Sequence, residues 1–196
     1  LAGQRAECMD RAALAEATGL LGITAAPAGG LDMVCSRFDL DLAIRIDAGS
    51  GVVGGRRSDL QAAAKEASSR GWRCTPLNVS LASHTRWMQA AAEDFSRILA
   101  DVVLQSPTLP LHSNARGRLH QAADARVALA QQVAQTVAWD DCMDAMSAQG
   151  VRAVLEIGPG SALARLWQAR HEDVPARSAD EFRSAAAIAA WLSRQA

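Results

Sequence analysis

The stretch VSLASHTRWMQAAAEDF, residues 79–95, sets a single histidine, His84, at the mouth of a predicted helix. Imidazole is the side chain whose proton affinity suits transfer near neutral pH, so the chemistry to weigh first is general base catalysis. Met88, Ala91, Ala92, Phe95, Ile98, Leu99 and Val102 recur at helical spacing and fix one apolar face. Thr85 is then the expected N-cap, with His84 just outside the first turn. The positive end of a helix dipole disfavours a further positive charge, which keeps such an imidazole neutral and able to accept a proton. Taken by itself, a loop histidine more often has a structural role. His112 falls in a predicted strand, and His120 and His171 in polar stretches, so each is a weaker candidate. Cys8, Cys35, Cys74 and Cys142 are scattered without a CxxC pair, which fits neither a zinc site nor a dense disulfide framework. No metal is expected, and reduced thiols suit a cytoplasmic location.

The elements that must position His84 follow from hydrophobic periodicity. LAGQRAECMDRAALAEA reads as a helix ending near Gly19, and GLLGIT as a short strand. LDLAIRID, residues 40–47, alternates Leu40, Leu42, Ile44 and Ile46 against Asp41, Ala43, Arg45 and Asp47, the period of a half-buried strand. GSGVVGG is a glycine-flanked strand. SDLQAAAKEASSRG is a helix with a capping box of Ser58 and Gln61 that stops at Gly71, and WRCTPLNVS is a further strand. With APAGGLDMVCSRF as a weaker helix, residues 20–80 run strand, helix, strand, strand, helix, strand, the ferredoxin-like order. Beyond residue 80, helices from about Trp87, Trp139 and Ala162 alternate with the short strands LPLHSN and AVLEIG, which argues for a parallel sheet covered by helices. The expected fold class is therefore α/β, with residues 1–19 and 81–196 as a parallel-sheet core and 20–80 as an inserted ferredoxin-like subdomain. SAAAIAAWLSRQA closes the chain as an amphipathic helix.

Composition narrows the partners. With 49% apolar and 21% charged residues the chain reads as globular, and a net charge of -1 supplies no basic field to draw in nucleic acid. Local basic pairs such as Arg56 and Arg57 are expected to be solvated surface. No apolar run reaches membrane-spanning length. The chain reads as helix from its first letters, so it is expected to begin inside an element, as a piece of a longer protein would.

Four separated stretches, LAGQRAECM, LNVSLASHTRWM, LHSNARGR and ALAQQVAQTVAWDDCMDAMSAQGVRAVLEIGPGSAL, together resemble the successive motifs of the malonyl-CoA:acyl-carrier-protein transacylase family, in order and spacing. The last stretch carries most of the resemblance: Gln132, a Trp seven residues on, the run AQGV, and a strand ending in EIGPG. The resemblance implies an α/β-hydrolase-like acyltransferase core and an acyl transfer with no cofactor, malonyl-CoA being the substrate and the phosphopantetheine-type arm of an acyl carrier protein the acceptor. It implies that His84 activates a serine, that Arg5, with Met9 one helical turn behind it, pairs with the malonyl carboxylate, and that Gln132 helps shape the oxyanion site in binding substrate. A planar guanidinium suits that carboxylate because it offers two parallel hydrogen bonds. The glycines and proline of GPG, residues 158–160, are expected only to bend the chain.

Departures from the family pattern are equally specific. No Gly-His-Ser-x-Gly elbow occurs, and Ser50, Ser80 and Ser161 stand in other contexts, so the chain has the base without the nucleophile and reads as the carboxyl-terminal two-thirds of a transferase. DAGSGVVGG stands where the family usually carries an Asn-x-Pro-x loop. The contexts ASH and SNARGR resemble the malonyl transferase subunit that accompanies malonate decarboxylase. Two alternatives stand beside this reading: a non-catalytic module that docks a carrier protein or another subunit, and a fragment of a polyketide synthase acyltransferase.

Overall fold

A computed structural model of the chain describes residues 1–195. The chain divides into two compact units, 1–142 and 143–196. The first opens with α1 (Ala2–Ala13), followed by β1 (Thr18–Thr24), α2 (Gly30–Phe38), β2 (Asp41–Arg45), β3 (Gly51–Arg56), α3 (Arg57–Ser69) and β4 (Arg73–Pro76). A 3-10 turn (Arg86–Met88) leads into α4 (Gln89–Ala100), then β5 (Leu111–Ser113), β6 (Gly117–Leu119), α5 (Ala122–Gln131), β7 (Val137–Ala138) and the start of α6 (Trp139–Ser147). The second unit holds β8 (Val154–Glu156), α7 (Ala162–Arg170), β9 (Ala176–Ser178) and α8 (Ala185–Ser193).

The main sheet of the first unit has the order β4-β1-β3-β2-β7. Its first four strands pair antiparallel, and β7 joins the β2 edge in parallel, Ile44 facing Val137 and Arg45 facing Ala138. One face of this sheet buries Leu21, Ile23 and Val53 against Leu31 and Val34 of α2 and Leu60 and Ala63 of α3. The opposite face carries a smaller cluster of Leu20, Ala43 and Val52. A separate core joins Cys8 and Met9 of α1, Met88, Ala91, Phe95 and Leu99 of α4 and its lead-in turn, and Ala130 and Val133 at the end of α5. The strand β8 pairs in parallel with β9 in the second unit. Ser178, fully buried, donates to the Gly160 carbonyl at 2.5 Å, and Asp180 accepts from the Gly160 N–H at 2.7 Å, so the GPG bend is pinned from the end of β9 and the turn after it.

Several local expectations give way to tertiary pairing. Helix α1 stops at Ala13, not near Gly19, because Thr18–Thr24 is taken up as β1 between β3 and β4. The strict alternation of residues 40–47 breaks at a bulge between Leu42 and Ile44, which leaves Ala43 fully buried. Helix α3 begins at Arg57, one residue before the expected cap; Ser58 lies in its first turn and donates to Asp59 instead of closing a capping box. LPLHSN is not a parallel strand: Leu111–Ser113 folds back onto Gly117–Leu119 as an antiparallel ribbon, turned by Gly117 at φ 72°. Arg56 is not merely solvated, since it pairs with Glu16, Asp39 and Asp59 and lies 4.7 Å from the centre of the Trp87 ring.

Phe95 is 3% exposed in the α1–α4–α5 core, whereas Val103 is 91% exposed. Truncating Phe95 to Ala should cost about 3–5 kcal/mol by removing a buried ring and leaving a cavity, and Val103→Ala about 0.5 kcal/mol or less. Urea unfolding of both variants checks the assignment of this core; equal midpoints would contradict it.

Candidate active site

His84 sits in a loop whose backbone is fixed from both sides. Its φ is 64°, the left-handed region that a residue with a Cβ rarely adopts. Upstream, the Ala82 N–H donates to Thr18 Oγ1 at 3.1 Å, and Thr85 Oγ1 donates to the Ala82 carbonyl at 2.6 Å. Thr18 and Thr85 are 2% and 1% exposed, so these bonds satisfy hydroxyls that would be costly to bury unpaired. Downstream, the Arg86 N–H donates to Asp41 Oδ2 at 2.7 Å. The loop lies directly on β3. A Cβ added at Gly54 would come within 2.8 Å of Thr85 Cγ2 and 3.3 Å of Ala82 Cβ, so the glycine is what lets the loop approach the sheet.

The imidazole is oriented from α5. The His84 N–H donates to the Val133 carbonyl at 2.9 Å, and the ring Nδ1 hydrogen-bonds the Gln132 carbonyl. A carbonyl oxygen only accepts, so Nδ1 carries the proton and a neutral ring presents its lone pair at Nε2. Burial holds the His84 pKa below the ordinary imidazole value; the Gln132 carbonyl opposes this and the charge of Arg5 adds to it. The expected helix-dipole effect is not the main cause. Thr85 precedes a 3-10 turn, makes no side-chain cap, and α4 begins only at Gln89. Burial therefore favours the neutral imidazole, and among the described residues no hydrogen bond reaches its Nε2.

Arg5 lies in the second turn of α1, close enough for its charge to act on His84. Burial lowers its pKa, and its Nε is buried without a hydrogen-bond partner among the described residues. Met9, one turn on, is buried in the shared core and anchors this face of the helix. Gln132 caps the carboxyl end of α5, and its own N–H is bonded to the Ala128 carbonyl at 3.0 Å. Its backbone thus offers His84 an acceptor and has no free N–H for an oxyanion. Arg5, His84 and Gln132 are accordingly brought together, with Gln132 orienting the ring through its main chain. A cleft of about 430 Å³ opens beside His84, walled also by Asp41, Arg86, Gln135 and Thr136.

The other candidates are elsewhere. His112 is half-buried on β5, His120 is exposed, and His171 follows α7 with its Nε2 3.1 Å from Asp144 Oδ1 and its ring 4.9 Å from that of Trp167. Ser161 accepts from Arg165 at 2.6 Å, and among the described residues no serine hydrogen-bonds His84. No group of three or more His, Cys, Asp or Glu able to hold a metal occurs among the described residues, and none of their helices is long and apolar enough to cross a membrane. Glu156 accepts from the Ala164 N–H at 2.8 Å, so a carboxylate of the chain itself already occupies the amino end of α7. Sequence patterns missed Thr18, Asp41 and Gly54. Only the placement of glycines in GSGVVGG hinted at a close approach.

No family model matches the chain. Curated relatives do: it is 30% identical over 179 residues to the malonyl CoA-acyl carrier protein transacylase of Mycobacterium tuberculosis, an alignment covering 91% of this chain and 59% of that protein. It is also 30% identical over 148 residues to the Haemophilus influenzae enzyme of the same name, covering 74% of this chain and 47% of that one. The chain thus spans about three-fifths of the longest-aligned relatives. Among solved structures it superposes on the Mycobacterium tuberculosis MCAT with a TM-score of 0.86 at 28% identity, covering 94% of this chain and 60% of that one. It superposes likewise on the acyl-carrier-protein S-malonyltransferase of Bartonella henselae with a TM-score of 0.87 at 26% identity, covering 98% and 62%.

The neutral state of His84 has a measurable consequence. With its folded pKa lowered, the unfolded chain takes up a proton more readily, so stability is fully present above the ordinary value of about 6.5 and is lost as pH falls below it toward the folded value. Denaturation from pH 8 to pH 5 should show the parent losing stability faster than His84→Gln, by at most about 1.4 kcal/mol per pH unit. Parallel curves would mean that His84 is not held neutral by burial.

Proposed function

We propose that the chain, whose curated relatives and structural neighbours are malonyl CoA-acyl carrier protein transacylases, carries the base and the carboxylate-binding residue of a malonyl transferase. The observation that supports it most is the nearness of two groups: an imidazole held by burial toward its neutral form and bonded through Nδ1, and a guanidinium whose buried Nε has no partner among the described residues. In this reading a serine hydroxyl attacks the thioester carbonyl of malonyl-CoA while His84 Nε2 takes its proton. The thiol of coenzyme A then leaves with that proton, giving a malonyl-serine ester. The thiol of a carrier protein's phosphopantetheine arm repeats the steps in reverse, and His84 again moves the proton. Arg5 holds the free malonyl carboxylate, and no resident cofactor takes part.

The serine belongs, on this proposal, to the part of such transacylases that this chain does not span. Residues 1–19 and 81–196 are read as the acyltransferase core, and 20–80 as a ferredoxin-like subdomain. Four free cysteines suit a reducing, cytoplasmic setting. The acceptor in this reading is a carrier protein, for which the relatives are named, and the ASH and SNARGR contexts suit the malonyl transferase subunit that accompanies malonate decarboxylase.

In the complete protein, Arg5→Ala should reduce kcat/KM for malonyl-CoA by a factor corresponding to about 2–4 kcal/mol, the loss of a buried charge-assisted hydrogen bond, and should affect acetyl-CoA much less. Equal losses for the two substrates would count against a carboxylate clamp. His84→Ala should slow acylation by about three to four orders of magnitude. Residues 1–196 alone should take up no malonyl group from malonyl-CoA. Intact-mass measurement showing a stable adduct on one of its own serines would overturn the account of the nucleophile, whereas a complete protein that binds carrier protein but never acylates would favour the docking module.

A further inference from the structure

Resting on that reading of His84, we propose that Asp41, at the start of β2, is a positioning residue for the base. Its carboxylate grips one residue twice. Oδ2 accepts the backbone N–H of Arg86 at 2.7 Å, and Oδ1 accepts the guanidinium Nη1 at 2.6 Å. The same guanidinium donates through Nη2 to the Asp39 carbonyl at 2.9 Å and lies 5.2 Å from the centre of the Trp87 ring. Trp87 has Arg56 near its ring as well, at 4.7 Å. Arg86 is thus fixed in both main chain and side chain, only two residues after His84.

The need for such a grip lies in the backbone of His84. A residue with a Cβ stays at φ 64° only where its surroundings over-determine it. Upstream the loop is tied to the sheet through Thr18, and the ring and N–H of His84 are tied to the end of α5. Asp41 supplies the downstream tie. Without it, φ can relax to negative values, and the imidazole swings off the Gln132 carbonyl that sets its tautomer. Asp41 walls the cleft beside His84, yet its carboxylate oxygens are committed to Arg86, so it acts through the base and not on substrate.

The test uses the complete protein that carries this chain, with histidine labelled by nitrogen-15. In the parent, His84 should show one fixed tautomer with the proton on Nδ1. Asp41→Ala should lower kcat for malonyl transfer about 10- to 100-fold with KM for malonyl-CoA within about twofold, and its His84 ring should show averaged tautomers. Asp41→Asn, whose amide oxygen still accepts the Arg86 N–H, should recover most of kcat and the fixed tautomer. The double variant Asp41→Ala with Arg86→Ala removes the guanidinium that Asp41→Ala alone leaves without its carboxylate, and Asp39, which loses Arg86, keeps Arg56 at 3.6 Å; it carries the same expectation as Asp41→Ala and replaces it should the single variant not fold. A fixed tautomer and near-parental kcat in either alanine variant, with only a lower melting temperature, would overturn the proposal. Should the parent transfer no malonyl group, the functional reading fails, and the tautomer measurement alone still decides whether Asp41 positions His84.

Discussion

The bond from the His84 ring to the Gln132 carbonyl is the constraint on which the first unit turns. It is made by a histidine at φ 64°, a conformation that costs roughly 1–2 kcal/mol relative to the ordinary regions. That cost must be offset by contacts that exist only when the loop is in place. They come from three directions: the sheet through Thr18 and Asp41, the end of α5 through Gln132 and Val133, and the buried Met88 that begins the α4 core. Small residues complete the arrangement. Gly54 leaves room for Ala82 and Thr85, so the glycine-flanked strand becomes the seat of the loop.

The same seam explains why the segment 18–76 and the helices that follow form one unit. Thr136 donates to the Leu42 carbonyl at 2.6 Å, β7 extends the β2 edge, and Arg45 reaches Asp140 at 2.6 Å and also Asp141 at the start of α6. The Asp140 pair raises the Arg45 pKa first of all, as expected for a guanidinium held by carboxylates. Every one of these ties runs from β2 or its neighbours to residues more than forty positions away. They are polar, directional and few, and so they set register more than they add stability.

Much of this was legible in the sequence where hydrophobic period speaks, and little of it where the main chain does the work. The apolar face of residues 88–102 predicted α4, and the quoted motifs brought Arg5, His84 and Gln132 into view together. The orienting contact that Gln132 makes was not legible, because it is made by a carbonyl, common to every residue type. Asp41 and Arg86 are 45 positions apart, and nothing local marks them as partners. Ser58 looked like a cap because a capping box is a local pattern, whereas the start of α3 is set by the pairing of β3 with β1 up to Arg56. The LPLHSN segment misled in the same way: three strand-like residues do not say which neighbour they will find, and the left-handed Gly117 supplied one at once.

Arg5 and His84 also divide the charge between them. Both are half-buried or deeper, and two cations so placed would repel in a medium of low polarity. The guanidinium keeps its proton at any working pH even with its pKa lowered by burial, so the imidazole is the group that gives way. The cation beside the base thus helps to keep the base neutral. Burial is the larger depressing influence on the His84 pKa and Arg5 the smaller; in the proposed reaction a carboxylate seated on Arg5 offsets only that smaller contribution. On that reading, a substrate bearing the carboxylate would leave the imidazole a somewhat stronger base than one lacking it. On the proposed reaction, selectivity and proton transfer would then be coupled through one pair of side chains, while the Gln132 carbonyl holds the ring through Nδ1.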